Sequence, residues 1–480
     1  MNKLLEKYRS LPVQVRASLW ALICGVLQRG VAVIVTPIFT RLMSTAEYGD
    51  FTTFQSWLDI LGIFLTLRLY YGVFLQGLVR YGGNEDRYTS ALIGLMTSLE
   101  IAGLALYLPL RNILNGFTHL TTAQTLSIFV ISWASGLFEF WCARQRVEYR
   151  YRALAALTLA FAILQPTCGV LAILAFPQDK VNARVLSMAL VQLCAFGWLF
   201  VLYLKRGKTL FDAGHWRHAL TFNLPLIPHY LSSSLLSTSD RIMIRSLVSA
   251  SAAGIYGLSY SLSFLMTIVN QALLNTLNPW IYQQIKSKNY RQLAHVSYLA
   301  LAGVAGANLF VVALAPEAIS IFAPVEYHDG IWLVPPLAAT VVVMFMYSLF
   351  ADFEFYYERT DLVMWASVVG AVVNVGLNWL CIPVFGYQVA AWTTLVGYIF
   401  YIGMHYAFMR RVQRTEMDGV YVYDVKVLVL ILGSFALAAM FLTVLYPVPV
   451  ARYALCLIAV AIVFVRRDSL IALYKQLRQR

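Results

Sequence analysis

The chain has 480 residues, 60% of them hydrophobic and only 12% charged, with a formal net charge of +13. A soluble domain carries about 25% charged residues, so this composition excludes a soluble globular enzyme and calls for lipid as the solvent of most of the chain. The positive excess falls in short loops between apolar runs. That makes it a feature of membrane topology, facing the anionic inner surface of a bilayer, and argues against a nucleic-acid partner.

A transmembrane helix needs about 20 apolar residues. On that measure the predicted spans lie near 17–40, 51–79, 89–109, 121–142, 153–176 and 185–204. Met1 to Arg16 lacks the apolar core of a cleavable signal, and the run from Ala17 is long enough to span, so no signal peptide is expected. A basic loop, Lys205 to Arg217, follows, and then spans near 219–248, 252–283, 294–314, 331–351, 362–383 and 387–409. A second basic loop, Arg410 to Asp424, leads to two last spans near 425–446 and 450–466. The fold class is therefore an all-α integral membrane protein of about fourteen spans.

An even number of spans places both termini on one side. That side then holds most of the Lys and Arg residues, whereas the other holds only Arg41, Arg111, Lys180, Arg184 and Arg452. Such sorting predicts cytoplasmic termini. The cysteines at 24, 142, 168, 194, 381 and 456 fall in or beside apolar runs without C-x-x-C spacing. They are expected to be small buried hydrophobes, neither disulfides nor metal ligands.

The chain also repeats itself. Leu42-Met43-Ser44-Thr45-Ala46-Glu47-Tyr48-Gly49 follows the first span, and Leu247-Val248-Ser249-Ala250-Ser251-Ala252-Ala253-Gly254 follows the seventh. A fainter echo links Glu148-Tyr149-Arg150 before the fifth span to Tyr357-Glu358-Arg359 before the eleventh. The expected organisation is a six-helix lobe at 1–204, a cytoplasmic linker at 205–218, a second six-helix lobe at 219–409, and two extra helices with a basic tail at 410–480. Even-span halves of this kind are parallel, pseudo-twofold repeats that rock about a central path.

Charges kept inside spans carry the functional signal, because each costs at least about 2.5 kcal/mol to insert. Arg29 lies midway through the first span, Asp59 and Arg68 lie in the second, and Asp240, Arg241 and Arg245 lie toward the end of the seventh. A guanidinium suits phosphate, which it grips through paired hydrogen bonds while staying charged. Arg29, Arg68, Arg241 and Arg245 are therefore candidate ligands of an anionic group in a cavity. Asp59, Asp240 and the intramembrane His229 are candidates for ion coupling or for pairing; an Arg29–Asp59 pair holding the first two spans together is the structural alternative. Glu139, Asp352, Glu354 and Glu358 fall at predicted cytoplasmic span ends, where carboxylates are solvated or paired, or else form a gate or ion site. Pro37 in the first span and Pro225 and Pro228 in the seventh lie in the leading helix of each half and are candidate hinges. Asn374 and Asn378 are expected to be interhelical hydrogen-bonding groups. No P-loop, zinc, serine-hydrolase or metalloprotease spacing occurs, so neither an enzyme nor a cofactor is expected.

Three segments carry a family resemblance. Pro37-Ile38-Phe39-Thr40-Arg41-Leu42-Met43-Ser44-Thr45-Ala46-Glu47-Tyr48-Gly49 resembles the opening signature of Wzx-type polysaccharide flippases of the multidrug/oligosaccharidyl-lipid/polysaccharide (MOP) superfamily. Asn223-Leu224-Pro225-Leu226-Ile227-Pro228-His229, then Ser239-Asp240-Arg241 and Ala253-Gly254-Ile255-Tyr256-Gly257, is similar to the second-half signature. Tyr356 to Thr360, then Asn374, Asn378, Pro383, Gly386 and Ala390-Ala391, resembles the late-helix pattern. The resemblance implies a transporter of polyprenyl-diphosphate-linked glycan, moved from the cytoplasmic to the periplasmic leaflet for O-antigen or exopolysaccharide assembly. It implies H+ or Na+ as the coupling ion and other polysaccharide-assembly proteins as partners. It assigns the diphosphate first to Arg29 and then to Arg68. The alternatives are a multidrug or cation exporter of the same superfamily, which would want acidic cavity residues, and a membrane-embedded glycan polymerase or ligase, which would want a large outward loop.

Overall fold

The computed structural model describes residues 13–465, with the side chains at 13–15, 17–19, 21–23, 26, 29, 32, 360, 361 and 462–465 outside the described residues. Every regular element among the described residues is a helix, and each predicted span is met by a helix or a pair of consecutive helices. In chain order they are α1 (Val13–Leu42), α2 (Thr45–Thr66), α3 (Gly72–Arg80), α4 (Glu85–Thr118), α5 (Thr122–Val147), α6 (Tyr151–Ala175), α7 (Lys180–Phe196) and α8 (Trp198–Gly207). They continue with α9 (Ala213–Asn223), α10 (Ile227–Leu247), α11 (Ala250–Phe264), α12 (Thr267–Lys286), α13 (Tyr290–Ala313), α14 (Ala315–Phe322), α15 (Val334–Tyr356), α16 (Thr360–Phe385), α17 (Val389–Glu416), α18 (Val425–Val444) and α19 (Pro449–Val465). Short 3-10 turns, Leu224–Leu226 and Val325–Leu333, lead into α10 and α15.

Nine of the described helical stretches are long and apolar enough to cross a membrane by length and composition. The chain is thus a multi-pass, all-helical membrane protein. Helices α2 and α10 are not among the nine.

The chain clusters into two compact units. The first comprises Met1–Gly257, Phe322–Pro324 and Ser367–Ala390; the second comprises Leu258–Ile321, Val325–Ala366 and Ala391–Arg480. In the first unit, local sequence sets the helix starts. Ser44 accepts from the Glu47 N–H while Glu47 Oε2 accepts from the Ser44 N–H at 2.7 Å, a reciprocal cap on α2. Thr121 and Gln124 do the same for α5. The core gathers Phe74, Tyr88, Phe140, Phe196, Leu199 and Tyr203 from α3, α4, α5, α7 and α8. The Phe74 and Phe140 rings meet edge to face at 4.8 Å, a favoured quadrupole arrangement. Arg184 of α7 lies 3.4 Å from the ring centroids of both Phe39 and Phe51, so a cation held between two π faces joins α1, α2 and α7.

The repeated motif identified in the sequence meets its own copy. A Cβ on Gly49 would stand 1.8 Å from the Ala250 carbonyl oxygen, and one on Gly254 would stand 2.1 Å from the Thr45 carbonyl oxygen. Thr45 also donates to Ser251 Oγ at 3.0 Å. The starts of α2 and α11 therefore cross backbone to backbone. Only glycine permits this approach, the usual device for tight helix crossings in membranes.

Opposite this crossing, the ends of α4 and α5 are tied by ion pairs. Arg144 bonds Asp86 and, at 2.7 Å, Glu148, while Arg87 reaches Asp212 at 3.0 Å. Asp212 caps α9; the His215 backbone N–H it accepts holds its carboxyl below the usual range.

The second unit is built on α15, which is buried along most of its length and packs against α12, α13 and α18. Arg452 of α19 is almost fully buried and donates to both oxygens of Glu317, at 2.7 and 2.8 Å, and to the Ala313 carbonyl at 2.5 Å. That clasp fixes the last helix to α13 and α14.

All six cysteines are free. Cys24 and Cys142 are buried as expected, but Cys194 is exposed on α7, on a surface that faces outward with Leu190 and Leu193. An apolar thiol needs no burial where the surrounding solvent is itself apolar.

Candidate functional site

The second span is broken in its middle. Helix α2 ends at Thr66, and Leu67 and Arg68 both take left-handed conformations, with φ of 46° and 47°. Such angles are rare in non-glycine residues and stored mainly at functional sites. The chain re-forms a helix at Gly72. Two contacts hold the break: the Asn223 amide donates to the Leu67 carbonyl at 2.8 Å, and the Arg68 N–H donates to Thr66 Oγ1 at 3.2 Å. Leu67 and Leu69 point into the core and are buried. Arg68, between them, is only half-buried, with its guanidinium 5.2 Å from the centre of the Tyr230 ring. Interrupted membrane helices of this kind supply binding groups at the depth of the bilayer.

Helices α2 and α10 lie antiparallel. Arg245 Nε binds Asp50 Oδ1 at 2.5 Å near one end, and Arg68 stacks over Tyr230 near the other. Between these ends Asp59, exposed on α2, interacts electrostatically with Arg241 and then with Arg68. The arrangement is a set of polar groups along α2 and α10. It carries the guanidinium groups of Arg68 and Arg241, one carboxylate, and the phenol of Tyr230. Tyr70 also feels the Arg68 charge, and Tyr71 beside it is 60% exposed, so the stripe ends in an aromatic surface.

Asp240 is one residue from Arg241 but faces the other way. Only 1% exposed, it accepts from the Tyr256 hydroxyl at 2.5 Å and from the Asn378 amide at 2.5 Å. Ser239 donates to Asn374 Oδ1 at 3.3 Å in the same layer. Asn374 and Asn378, both fully buried, thus hydrogen-bond between α16 and α10 as the sequence suggested. A charged acceptor in such a layer forms stronger hydrogen bonds than a neutral one.

The other candidates are placed as follows. The side chain of Arg29 lies outside the described residues, and its pairing with Asp59 therefore does too. Pro37 sits within a continuous α1, where its carbonyl accepts from Arg41 at 3.0 Å and Thr40 at 3.2 Å. Pro225 falls in the 3-10 turn and Pro228 in the first turn of α10. At these positions a proline removes no needed donor. His229 is half-buried in that first turn beside Tyr230. Glu139 faces Arg146 at 3.9 Å, and Glu358 is exposed, but Asp352 and Glu354 are buried.

Sequence reading missed Asp50 as the partner of Arg245 and Tyr256 as a partner of Asp240. It also passed over Glu100, 94% buried on α4 and bonded by Ser132 at 2.7 Å, and His405, fully buried on α17. The signal was present for the last two, since both are ionisable residues within apolar runs.

Comparison with known proteins agrees with this architecture. The family described as "Polysaccharide biosynthesis protein" matches residues 15–284. A Haemophilus influenzae protein described as "Lsg locus putative protein 1" is 26% identical over 218 residues, 42% of this chain and 52% of that protein. The chain thus spans about half the length of that curated relative. Among solved structures, the lipid II flippase MurJ in an inward closed conformation superposes with a TM-score of 0.69 at 12% identity, covering 94% of this chain and 99% of that one. An inward-facing multidrug resistance MATE family transporter of the MOP superfamily gives 0.62 at 12% identity, covering 81% and 96%. At these identities the likeness is one of fold.

Proposed function

The chain belongs to the polysaccharide biosynthesis protein family, and from that premise we propose that it carries polyprenyl-diphosphate-linked oligosaccharide from the cytoplasmic to the periplasmic leaflet by ion-coupled alternating access. One observation supports this reading above the rest: Arg68 and Arg241 share a polar stripe within membrane helices, one of them on a strained break, with a single exposed carboxylate between them. Two guanidinium groups brought to one pair of membrane helices suit a diphosphate. Tyr230 and Tyr71 at the end of the strip offer ring faces to the first sugars. Arg245, neutralised by Asp50, frames the strip, and Arg29 in the first span completes the set of arginines assigned to the diphosphate.

The buried Asp240, with Tyr256 and Asn378, is the coupling-ion candidate in this unit, for H+ or Na+. Asp59 and His229 lie beside the substrate path, and Pro37, Pro225 and Pro228 serve as pivots at the two leading helices. The protein works in the bacterial inner membrane with both termini in the cytoplasm, as a transporter and not an enzyme, alongside other polysaccharide-assembly proteins.

The second reading is a multidrug or cation exporter, favoured by the exposed Asp59. The two arginines acting on that carboxylate weigh against it, because each would repel a cationic cargo.

A charged hydrogen bond is worth about 1.5–3 kcal/mol, so Arg68→Ala, Arg241→Ala and Arg29→Ala should each reduce surface glycan by about tenfold or more at unchanged protein level in the membrane. Normal surface glycan from both Arg68→Ala and Arg241→Ala would remove the basis of the proposal.

A further inference from the structure

One ionisable group of the first unit takes no part in the polar stripe. Glu100 sits near the middle of the 34-residue α4 and is 6% exposed. Ser132, near the middle of α5, faces it with Oγ 2.7 Å from Glu100 Oε1. The other carboxyl oxygen, Oε2, is buried with no hydrogen-bond partner among the described residues. Packing closes the site along both helices. One turn before Glu100, Met96 is fully buried against Gly136 of α5; one turn after, Gly103 lies against Leu65 of α2 and Phe129 of α5.

The charged and titratable groups on the elements packed against α4 are engaged elsewhere. On α2, Glu47 pairs with Lys180, Asp50 pairs with Arg245, and Asp59 interacts with Arg241 and Arg68. On α5, Glu139 faces Arg146 at 3.9 Å, and Arg144 bonds Asp86 and Glu148. Arg80 of α3 lies over Tyr81, and His215 of α9 is 3.5 Å from Asp212. Lys205 and Arg206 stand in the last turn of α8, and Cys142 and Tyr203 lie among these same charges. On α4 itself, Tyr107 bonds Asn115 and Arg111 is exposed. Among the described residues no cation pairs with Glu100, and Ser132 is its one hydrogen-bonding partner.

The hydrogens around Ser132 bear on the charge of Glu100. Besides Glu100 Oε1, the Ser132 Oγ lies 2.7 Å from the Ile128 carbonyl oxygen and 3.2 Å from that of Phe129. Both 2.7 Å separations are ordinary O–H···O distances, and each needs a hydrogen between its oxygens, because facing lone pairs repel. A hydroxyl carries only one hydrogen. Serine within a helix turns it toward the carbonyl four residues back, here that of Ile128. The hydrogen between Ser132 Oγ and Glu100 Oε1 then comes from the carboxyl. With Glu100 protonated, Oε1–H donates to Ser132, Ser132 donates to Ile128, and Oε2 is a neutral carbonyl oxygen, the kind of buried group most often left short of a partner. With Glu100 ionised, a negative charge would be enclosed within the membrane helices with one oxygen bare, which is far more costly.

We propose that Glu100 is a proton-binding site of the first unit, which holds its proton against Ser132 while the α4–α5 contact is closed and exchanges it with water only when that contact opens. Release passes the proton to water and leaves a carboxylate. In the closed contact that carboxylate has no donor beyond Ser132, so release and opening are linked. The bound proton rests on this geometry alone. Its use in coupling rests on the transport reading above, whose alternating access supplies the opening.

The test uses the full chain reconstituted in liposomes at neutral pH, with infrared spectra of the protonated-carboxyl region recorded in H2O and D2O. The spectrum of wild type minus that of Glu100→Gln should show one protonated-carboxyl band. Ser132→Ala should shift that band, because the carboxyl O–H loses its acceptor. After transfer to D2O the band should move to its deuterated position well after mixing, over the minutes or longer that local opening requires. Absence of the band from the difference spectrum, an unshifted band in Ser132→Ala, or exchange complete on mixing overturns the proposal. Should Glu100→Gln fail to fold, the difference is taken between wild type and Ser132→Ala, and an unchanged carboxyl region overturns the proposal alone. The two readings fail separately: intact surface glycan in Arg68→Ala and Arg241→Ala defeats the transport reading and leaves this band standing.

Discussion

Replacing Gly254 with alanine should destabilise the first unit, although the change adds one methyl group to a residue type that helices ordinarily disfavour. The added Cβ would lie 2.1 Å from the Thr45 carbonyl oxygen and 3.0 Å from the Gly49 nitrogen, both backbone atoms that no rotamer change can move. A close C–H···O contact is about 3.3 Å, so α2 and α11 must separate by about 1 Å at their crossing. The separation lengthens the Thr45–Ser251 hydrogen bond, now 3.0 Å. Overpacking of this kind costs about 1–3 kcal/mol, to which the weakened hydrogen bond adds about 1 kcal/mol. The assay is thermal stability of the purified protein in detergent, read as the monodisperse fraction surviving a temperature series. Gly306→Ala and Gly376→Ala are the controls, since at neither position does the new Cβ come within 4 Å of another element among the described residues. Both controls should match or exceed wild type, because alanine gains up to about 1 kcal/mol over glycine within a helix. Gly49→Ala, with its Cβ 1.8 Å from the Ala250 oxygen, should behave like Gly254→Ala. The double mutant should cost less than the sum, because both changes open one crossing. A Gly254→Ala protein as stable as the controls would refute the claim that the repeated motif exists to bring these two backbones together.

Two further outcomes follow from the ends of helices. Glu317 is held below the usual carboxylate range, mainly by its hydrogen bonds from Arg452. Its contribution is present above the unfolded value of about 4.3 and is lost as pH falls through the lowered folded value. The stability gap between wild type and Glu317→Gln should therefore be widest near neutral pH and close below about pH 4; a gap that widens on acidification contradicts the clasp. Thr121→Ala removes the side-chain half of the cap on α5 and should cost about 1 kcal/mol, whereas Thr121→Ser in the same melting assay should cost almost nothing.

Much of this molecule could be read from local sequence. Runs of apolar residues located the spans, because the bilayer demands length and hydrophobicity of each helix separately. The repeat at Gly49 and Gly254 was visible as a pattern, and Asn374 and Asn378 were recognisable as groups that need partners. The break at Leu67 and Arg68 was not foreseen, since neither residue is a glycine or proline and no local rule calls for left-handed backbone there. The family resemblance was legible in the order and spacing of three motifs, and the family matches residues 15–284.

The sequence by itself determined that this is a many-span helical membrane protein, which residues carry charge into the apolar runs, and that two stretches of chain share a pattern. Only the tertiary structure decided what those charges meet. Arg245 finds Asp50 195 positions away, Asp240 finds Asn378 138 away, and Glu354 finds His405 51 away. The physical reason is the range of each interaction. Hydropathy acts between one helix and its lipid and is therefore written locally. Compensation of a buried charge acts between helices and depends on which faces are turned toward each other. Arg245 is neutralised by Asp50, whereas the Arg68 guanidinium lies over the Tyr230 ring.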